Sequence, residues 1–561
     1  MAINPPLESP QLSDLVTTPE RASGYVAAGY WQGVTLLERV AQHAQAIPDN
    51  IASVDRDGTR RRSYGELYGD AADLASLLRE RGVSAGSVVS VQMPNCYEAV
   101  VIALATQILG AVINPLLTIY RSHELQHVYD TARPLVHFTP VSLTSTDFRA
   151  MADDAAGMAL WHPVHVAVDL HSETMAFHDW FKDIGAIDGA AIEVAETRWA
   201  HGAGQLEPGR RVSELIFTSG TEATPKAVMH TEDTANFSVR TAYTGLGLGA
   251  DDVVWMPSPI GHSTGFNYGV RFALYHGLKL VLQDTWNAER AYALLGAERC
   301  TYTLAATTFL HDLVHYTQDH NLRLPHFRTF GCGGAPVPDA LVRAAADRGI
   351  TVLRLYGATE FLVATWNRPG STAQQREQTD GIALDGVEIA VRDVEGIDCP
   401  VGQPGEVYVR GPSTCVGFFA DPERTAVSMD ANGWCRSGDL GVLDDDHYLT
   451  LVGRKKDMVI RGGMNIAPRE IEEALIGFPE VWAAAVIGLP DARLGERTCS
   501  CLVLRPGQTL DLATVVERLQ VQGFAKYKLP QELKFFDSFP MTPSGKIQKH
   551  ELKRQIEADR A

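Results

Sequence analysis

Fifteen residues, FTSGTEATPKAVMHT from Phe217 to Thr231, concentrate hydroxyls, one glycine, one lysine and one histidine directly after the apolar run Leu215-Ile216-Phe217. A turn of Thr218, Ser219, Gly220, Thr221 and Thr224 can aim backbone N–H groups and hydroxyls at one anion. Lys226 adds a positive charge. That is how a loop cradles a polyphosphate. The plainer reading of the same residues is a polar surface loop. The Walker pattern G-x-x-x-x-G-K-[ST] is absent, so this is not a P-loop of that kind.

Such a loop needs a rigid strand behind it, and the chain supplies strands and helices in alternation. SYGELYGDAADLASLLRERG reads as a helix. Ser63 and Glu66 make a capping box, Leu67, Leu74 and Leu78 an apolar stripe, and Gly82 the stop. SVVSVQM then reads as a strand. The alternation runs to about residue 355 and predicts α/β layers with parallel sheets. Residues 380–452 carry short β-like runs (VEIAVRDV, GEVYVRG, YLTLVG) and predict a small β-rich subdomain. A boundary falls at GRKKD, Gly453 to Asp457, followed by a compact α+β pattern of about a hundred residues. Residues 1–35 read as a weakly structured lead-in.

With 561 residues the chain is too long for one hydrophobic core. A net charge of −19 disfavours nucleic acid and anionic membrane as partners. The eight cysteines form no C-x-x-C pair, which argues against a zinc site and for a reducing cytoplasm. No signal peptide is expected at the N-terminus. Tyr97 to Leu117 is the most apolar span, but it holds Glu98, Gln107, Gly110 and Asn114. A buried helix followed by a buried strand is expected there, not a membrane span.

Further segments follow in order: GCGGAPVP (331–338), LYGATE (355–360), GEVYVRGPSTCVGFF, GWCRSGDLG, GRKKDMVIRGGMNIAPREIEE and TPSGKIQK. Together with the opening stretch they resemble the adenylate-forming superfamily, which comprises acyl- and aryl-CoA synthetases, peptide-synthetase adenylation domains and beetle luciferases. The resemblance covers roughly residues 35–555. INPLLTIYRSHEL, TSGTEATPK and GHSTGF look most like cyclohexanecarboxylate-type CoA ligases. The implied fold is a large N-terminal domain of two α/β subdomains plus a small β-rich subdomain, and a mobile α+β C-terminal domain. The domains expected are a lead-in (1–35), an adenylation (AMP-binding) domain (36–453), a hinge (454–457) and a C-terminal mobile domain (458–561).

The resemblance implies a role for each matching residue. The loop from Thr218 to Lys226 would hold the β- and γ-phosphates. Tyr356 and Gly357 would meet the adenine, with Gly333, Gly334 and Ala335 lining its other side; an aromatic face suits a flat base. Thr359 would touch the α-phosphate. Glu360 would help to hold Mg²⁺, a hard cation that favours carboxylate and phosphate oxygens. Asp439 would accept from the ribose hydroxyls, assisted by Arg454. Lys546 would be the catalytic lysine, its ammonium offsetting charge as a carboxylate attacks the α-phosphate. Lys456 would be the hinge. After rotation Arg461, Gly462, Gly463 and Asn465 would line a tunnel for coenzyme A.

The acyl pocket implied by the resemblance involves His262, Gly265, Phe266, Thr307, Gly334 and Phe361. His262 either closes over the carboxylate or is a core histidine. Ser263 stands where 2-hydroxybenzoate enzymes tend to carry Asn, and no Asp is placed for an α-amine. An apolar, uncharged, medium-sized acid is the expected substrate. The phosphate loop departs from the usual pattern at Glu222, Ala223 and Ala227. The expected reaction is ATP- and Mg²⁺-dependent CoA ligation through an acyl-adenylate. The alternative acceptors are a carrier-protein thiol or an amine. A homodimer is a further expectation.

Overall fold

The strands that lead into the chemistry-bearing segments are the inner strands of two parallel sheets. A computed structural model describes residues 17–143, 145–170, 175–182, 187–192, 208–218, 225–462, 464–491, 493–542 and 546–559. The larger sheet has nine strands. Five are central to the site: Thr351–Ala358, Thr329–Cys332, Tyr302–Ala305, Val253–Met256 and Lys279–Leu282, paired in that order. All of these pairs are parallel, and Ile51–Asp55 continues the parallel set beyond Lys279–Leu282. The outer strands are antiparallel.

The second sheet has six strands. Val212–Phe217, Val112–Pro115, Val88–Val91, Val136–Pro140 and Val164–Val168 run parallel, and Ala227–Thr231 returns antiparallel beside the first. In open α/β sheets, ligands bind beyond the carboxyl ends of the strands. Thr218, His262, Thr307, Gly333-Gly334 and Thr359-Glu360 all follow such strand ends.

The helix expected at 63–82 runs Tyr64–Glu80. Ser63 and Glu66 form its capping box, and Leu67, Leu74 and Leu78 are fully buried. Gly82 has φ +93°, a left-handed value that suits a glycine after a helix end. The apolar span divides into helix Tyr97–Ile108 and strand Val112–Pro115. Glu98, buried on that helix, is paired with Arg60. Among the described residues no helix is long and apolar enough to cross a membrane.

Over residues 17–35 the expected weakly structured lead-in is corrected, while residues 1–16 lie outside the described residues. Thr18 caps a helix at Pro19–Ala27, and Trp31 is buried with its indole N–H donated to the Pro412 carbonyl at 3.0 Å. The lead-in's apolar rings, Tyr25 and Trp31, are packed 5.1 Å apart, which a reading of its Pro-rich start did not reveal.

The β-rich subdomain is a four-stranded antiparallel sheet of Glu388–Arg392, Gly405–Arg410, Cys435–Leu443 and Leu449–Arg454. Beyond a 3₁₀ turn at Lys455–Asp457, a separate sheet carries helices Pro468–Ile476, Leu512–Val521 and Lys549–Ala558. This C-terminal domain has its own apolar core, including Ile471, Leu475, Val486, Leu502 and Leu519.

Two buried side chains bind the parallel sheets together. Arg271, from the large-sheet side, reaches Glu232 at 3.0 Å, Asn236 at 2.8 Å and Glu214 at 3.3 Å. Glu214 lies in strand Val212–Phe217. A buried guanidinium is tolerable only when paired and hydrogen-bonded in this way. Asn95, after strand Val88–Val91, donates to the carbonyls of Met256, Ser258 and Gln283 and accepts from Ile260 N–H. It thereby holds the segment that leads to His262.

Candidate active site

A cavity of about 1590 Å³ lies where the strand ends of both sheets, the β-rich subdomain and the C-terminal domain converge. Thr218 and Lys226 line it. They close the base of the opening loop: Thr218 N–H donates to the Lys226 carbonyl at 2.9 Å, extending the hairpin of Val212–Phe217 with Ala227–Thr231. Ser219, Gly220, Thr221 and Thr224 lie outside the described residues, as do Glu222 and Ala223.

Gly334, Ala335, Tyr356 and Gly357 form a second part of the wall. Gly334 has φ +80°, and a Cβ there would sit 3.5 Å from Lys546 Cε. Gly333 does not line the cavity; a Cβ on it would strike Leu355 at 2.7 Å. The Tyr356 hydroxyl donates to Asp439 Oδ2 at 2.8 Å, and Arg454 Nε meets Asp439 Oδ1 at 3.0 Å. The carboxylate assigned to ribose is thus held from both sides, by residues on neighbouring antiparallel strands and on the large sheet.

Thr359 and Glu360 occupy the tight turn between antiparallel strands Thr351–Ala358 and Leu362–Trp366. Both line the cavity. Among the described residues the Glu360 carboxylate forms no ion pair, although Lys546 and Arg454 are near enough to feel its charge. A cavity-facing carboxylate without a partner fits a hard cation. Among the described residues no cluster of three or more His, Cys, Asp or Glu could cage a metal. One carboxylate plus phosphate oxygens is how Mg²⁺ is usually held at a nucleotide.

Lys546 arrives from the C-terminal domain. Its N–H donates to Thr542 Oγ1 at 2.9 Å and its carbonyl accepts from Thr542 N–H at 2.7 Å, so the turn that carries it is closed at its base. Burial pushes its ammonium down to about 8; Arg454 adds to the fall, while Asp439 and Glu360 oppose it.

His262 also lines the cavity. Its Nδ1 accepts from Thr264 N–H at 3.2 Å, leaving Nε2 as the N–H of the neutral ring. Burial, then the charge of Lys546, pushes its pKa down to about 3, so the ring is neutral. Thr307 and Phe361 complete the expected acyl wall. Gly265 and Phe266 are not part of that lining. Gly265 is pressed against the Pro259 carbonyl, and Phe266 is buried behind the wall.

In this arrangement the residues expected at the CoA tunnel lie away from the cavity. Arg461 donates to the Tyr527 carbonyl at 2.7 Å, Gly462 N–H to the Leu494 carbonyl at 2.7 Å, and Asn465 is exposed. Gly463 lies outside the described residues. Lys456 lines the cavity within the turn at Lys455–Asp457.

The C-terminal domain is held here by contacts that motif reading did not reveal. Arg469, at the start of helix Pro468–Ile476, reaches Asp380 at 3.4 Å; Asp380 is also bound by Arg354 at 3.0 Å and by Leu451 N–H. Trp482 packs against His311, their ring centroids 4.3 Å apart. The sequence signal for Arg469 was its place within the segment GRKKDMVIRGGMNIAPREIEE.

The family description "AMP-binding enzyme" matches residues 40–419, and "AMP-binding enzyme C-terminal domain" matches residues 470–546. The chain is 34% identical to a medium-chain fatty-acid–CoA ligase of Escherichia coli (strain K12), over 98% of this chain and 95% of that one. The ATP-bound MatB of Rhodopseudomonas palustris shares the fold with a TM-score of 0.80 at 27% identity, covering 93% of this chain and 99% of the other. The amide bond synthetase McbA of Marinactinospora thermotolerans does so with a TM-score of 0.78 at 25% identity, covering 93% and 99%. The convergence of both sheets and a C-terminal lysine on one cavity thus has the family that its motifs resembled: the chain belongs to the AMP-binding enzymes of the adenylate-forming superfamily.

Proposed function

We propose that this chain is an ATP- and Mg²⁺-dependent carboxylate–CoA ligase that activates an apolar, medium-sized acid, aliphatic, alicyclic or aromatic. The observation that carries the reading is Lys546. A side chain from a separate domain enters the cavity beside Gly334 and shares it with Glu360, Asp439 and Arg454.

In the first half-reaction a carboxylate oxygen of the acid attacks the α-phosphorus of ATP. The bond to the β-phosphate oxygen breaks, leaving acyl-adenylate and pyrophosphate. Tyr356 offers its ring to the adenine, and Asp439 accepts from the ribose. Thr359 positions the α-phosphate. Lys546 offsets the negative charge that builds where two anions meet, a role whose loss typically costs about 3–4 kcal/mol. Glu360 would hold Mg²⁺, which when bound would supply further charge neutralisation on the phosphates. Neutral His262 can donate to a carboxylate oxygen at the acyl end without repelling Lys546.

In the second half-reaction the thiol attacks the acyl carbonyl and AMP leaves. Lys546 now obstructs the approach. Rotation at Lys456 withdraws it and brings Arg461, Gly462, Gly463 and Asn465 to the site. We further propose a reducing, cytoplasmic location, which rests on the eight scattered cysteines of the sequence.

The test is a panel of carboxylic acids scored for pyrophosphate release, with and without CoA. Release with an apolar acid, and CoA consumed in step with it, is the expected result. Background release with every acid overturns the reading. The likeness to an amide bond synthetase makes an amine the second acceptor to try, and a carrier-protein thiol the third. Light scattering on the same sample reads whether the enzyme is a homodimer.

A further inference from the structure

The opening stretch contains one residue that the reaction above leaves without a role. His230 lies in strand Ala227–Thr231, fully buried, and does not line the cavity. Its Nε2 lies 2.7 Å from the Thr359 carbonyl, so this nitrogen carries the hydrogen and donates it. Its Nδ1 lies 3.1 Å from Thr234 Oγ1, which fixes the other face of the ring.

The recipient is a turn that needs anchoring. Leu362, which closes it, is buried with φ +56°, a left-handed conformation that a leucine rarely adopts. Such a conformation persists only where the surroundings over-determine it. The anchors are the Phe361 N–H donated to the Ala358 carbonyl, the Cys415 N–H donated to the Glu360 carbonyl at 2.7 Å, and His230. The first two are backbone bonds. Among the described residues His230 is the side chain that donates to a turn carbonyl, and it does so from the strand that returns from the phosphate loop.

We propose that His230 is a positioning residue for adenylation: its Nε2–H, given to the Thr359 carbonyl, sets the turn that presents Thr359 and Glu360 to the reacting phosphate and its Mg²⁺. This rests on the reading of the chain as an adenylating ligase. His230 touches no reactant. It acts by joining the polyphosphate-side hairpin to the α-phosphate-side turn.

Three variants test it. His230→Leu removes the donor, His230→Gln puts an amide nitrogen in place of Nε2, and His230→Asn reaches only as far as Nδ1. The measurements are ATP–pyrophosphate exchange against Mg²⁺ concentration, thioester formation from supplied acyl-adenylate, calorimetric binding of Mg·ATP, and melting temperature. His230→Leu and His230→Asn are expected to lose roughly tenfold in exchange rate, with a raised Mg²⁺ requirement and an unchanged KM for the acid. Thioester formation and melting temperature should stay near those of the unaltered protein, and His230→Gln should regain most of the exchange.

Parallel loss of both half-reactions, exchange unchanged in His230→Leu, or His230→Gln as poor as His230→Leu would each overturn the proposal. Should His230→Leu not fold, the Gln and Asn pair makes the same comparison. If no acid supports exchange even in the unaltered protein, the ligase reading fails by itself. Mg·ATP affinity then decides the role of His230: weakening in His230→Asn but not in His230→Gln supports it, and equal affinity overturns it.

Discussion

The Tyr356 hydroxyl donates to Asp439 Oδ2 at 2.8 Å, joining the end of a large-sheet strand to the β-rich subdomain. The residue assigned to the base therefore also orients the residue assigned to the ribose. Tyr356→Phe keeps the ring and loses the bond. KM for ATP should rise about fivefold, the worth of one hydrogen bond near 1 kcal/mol, with kcat little changed. Tyr356→Ala should do worse, because it also removes the ring. Equal KM values for the Phe variant and the unaltered enzyme would show that Asp439 needs no such support.

Lys546→Ala should nearly abolish acyl-adenylate formation and leave thioester formation from supplied acyl-adenylate largely intact. The active form is the ammonium. With its pKa pushed down to about 8, Lys546 is charged at neutral pH and loses its proton as the pH rises through that value. Adenylation kcat/KM should therefore fall on the alkaline side, about tenfold per pH unit once past the pKa. Lys546→Arg keeps its charge throughout and should lack this alkaline limb, whatever its absolute rate. A limb that persists in the Arg variant assigns it to another group.

Phe361 and Phe266, paired in the sequence reading, should now part company. Phe361 lines the cavity; Phe361→Ala should shift preference toward bulkier acids, each added buried CH₂ being worth roughly 0.8 kcal/mol. Phe266 is buried behind the wall, so Phe266→Ala should cost about 3–5 kcal/mol of stability and leave the rank order of acids alone. A reordered acid panel for Phe266→Ala, with a normal melting temperature, would reverse these assignments.

Two changes at the domain boundary should act in opposite directions. Proline fixes φ near −65°, a value the 3₁₀ turn at Lys455–Asp457 can take, so Lys456→Pro should hold the present orientation. Pyrophosphate release should survive as a single turnover while CoA transfer fails. Arg469→Leu removes the contact with Asp380, which keeps Arg354. It should slow adenylation by roughly tenfold, a shift of about 1.4 kcal/mol in the domain equilibrium, and spare thioester formation. Rapid-quench measurement of each half-reaction, with a thermal melt as control, reads both.

Much of the molecule could be read directly from its residues, and the reason is local. The capping box of Ser63 and Glu66, the stripe of Leu67, Leu74 and Leu78, and the alternation of the β-rich runs arise from contacts a few residues apart, so spacing alone specifies them. The phosphate-loop base, Tyr356 and Asp439 were picked out for a different reason, because each sits in a short motif, the first two near strand ends and Asp439 within strand Cys435–Leu443. Spacing did not reach the partners. Arg271 is joined to Glu214 across 57 positions, His230 to Thr359 across 129, and Arg469 to Asp380 across 89. A buried charge or donor needs a partner, but nothing in the chain near it says which. The lead-in follows the same rule: Trp31 is buried and gives its indole N–H to the carbonyl of Pro412, which lies 381 positions away. The types of residue able to handle a nucleotide were thus determined by the sequence alone. Which of them share a cavity, and which side chains hold them there, was decided when the two sheets and the C-terminal domain closed together.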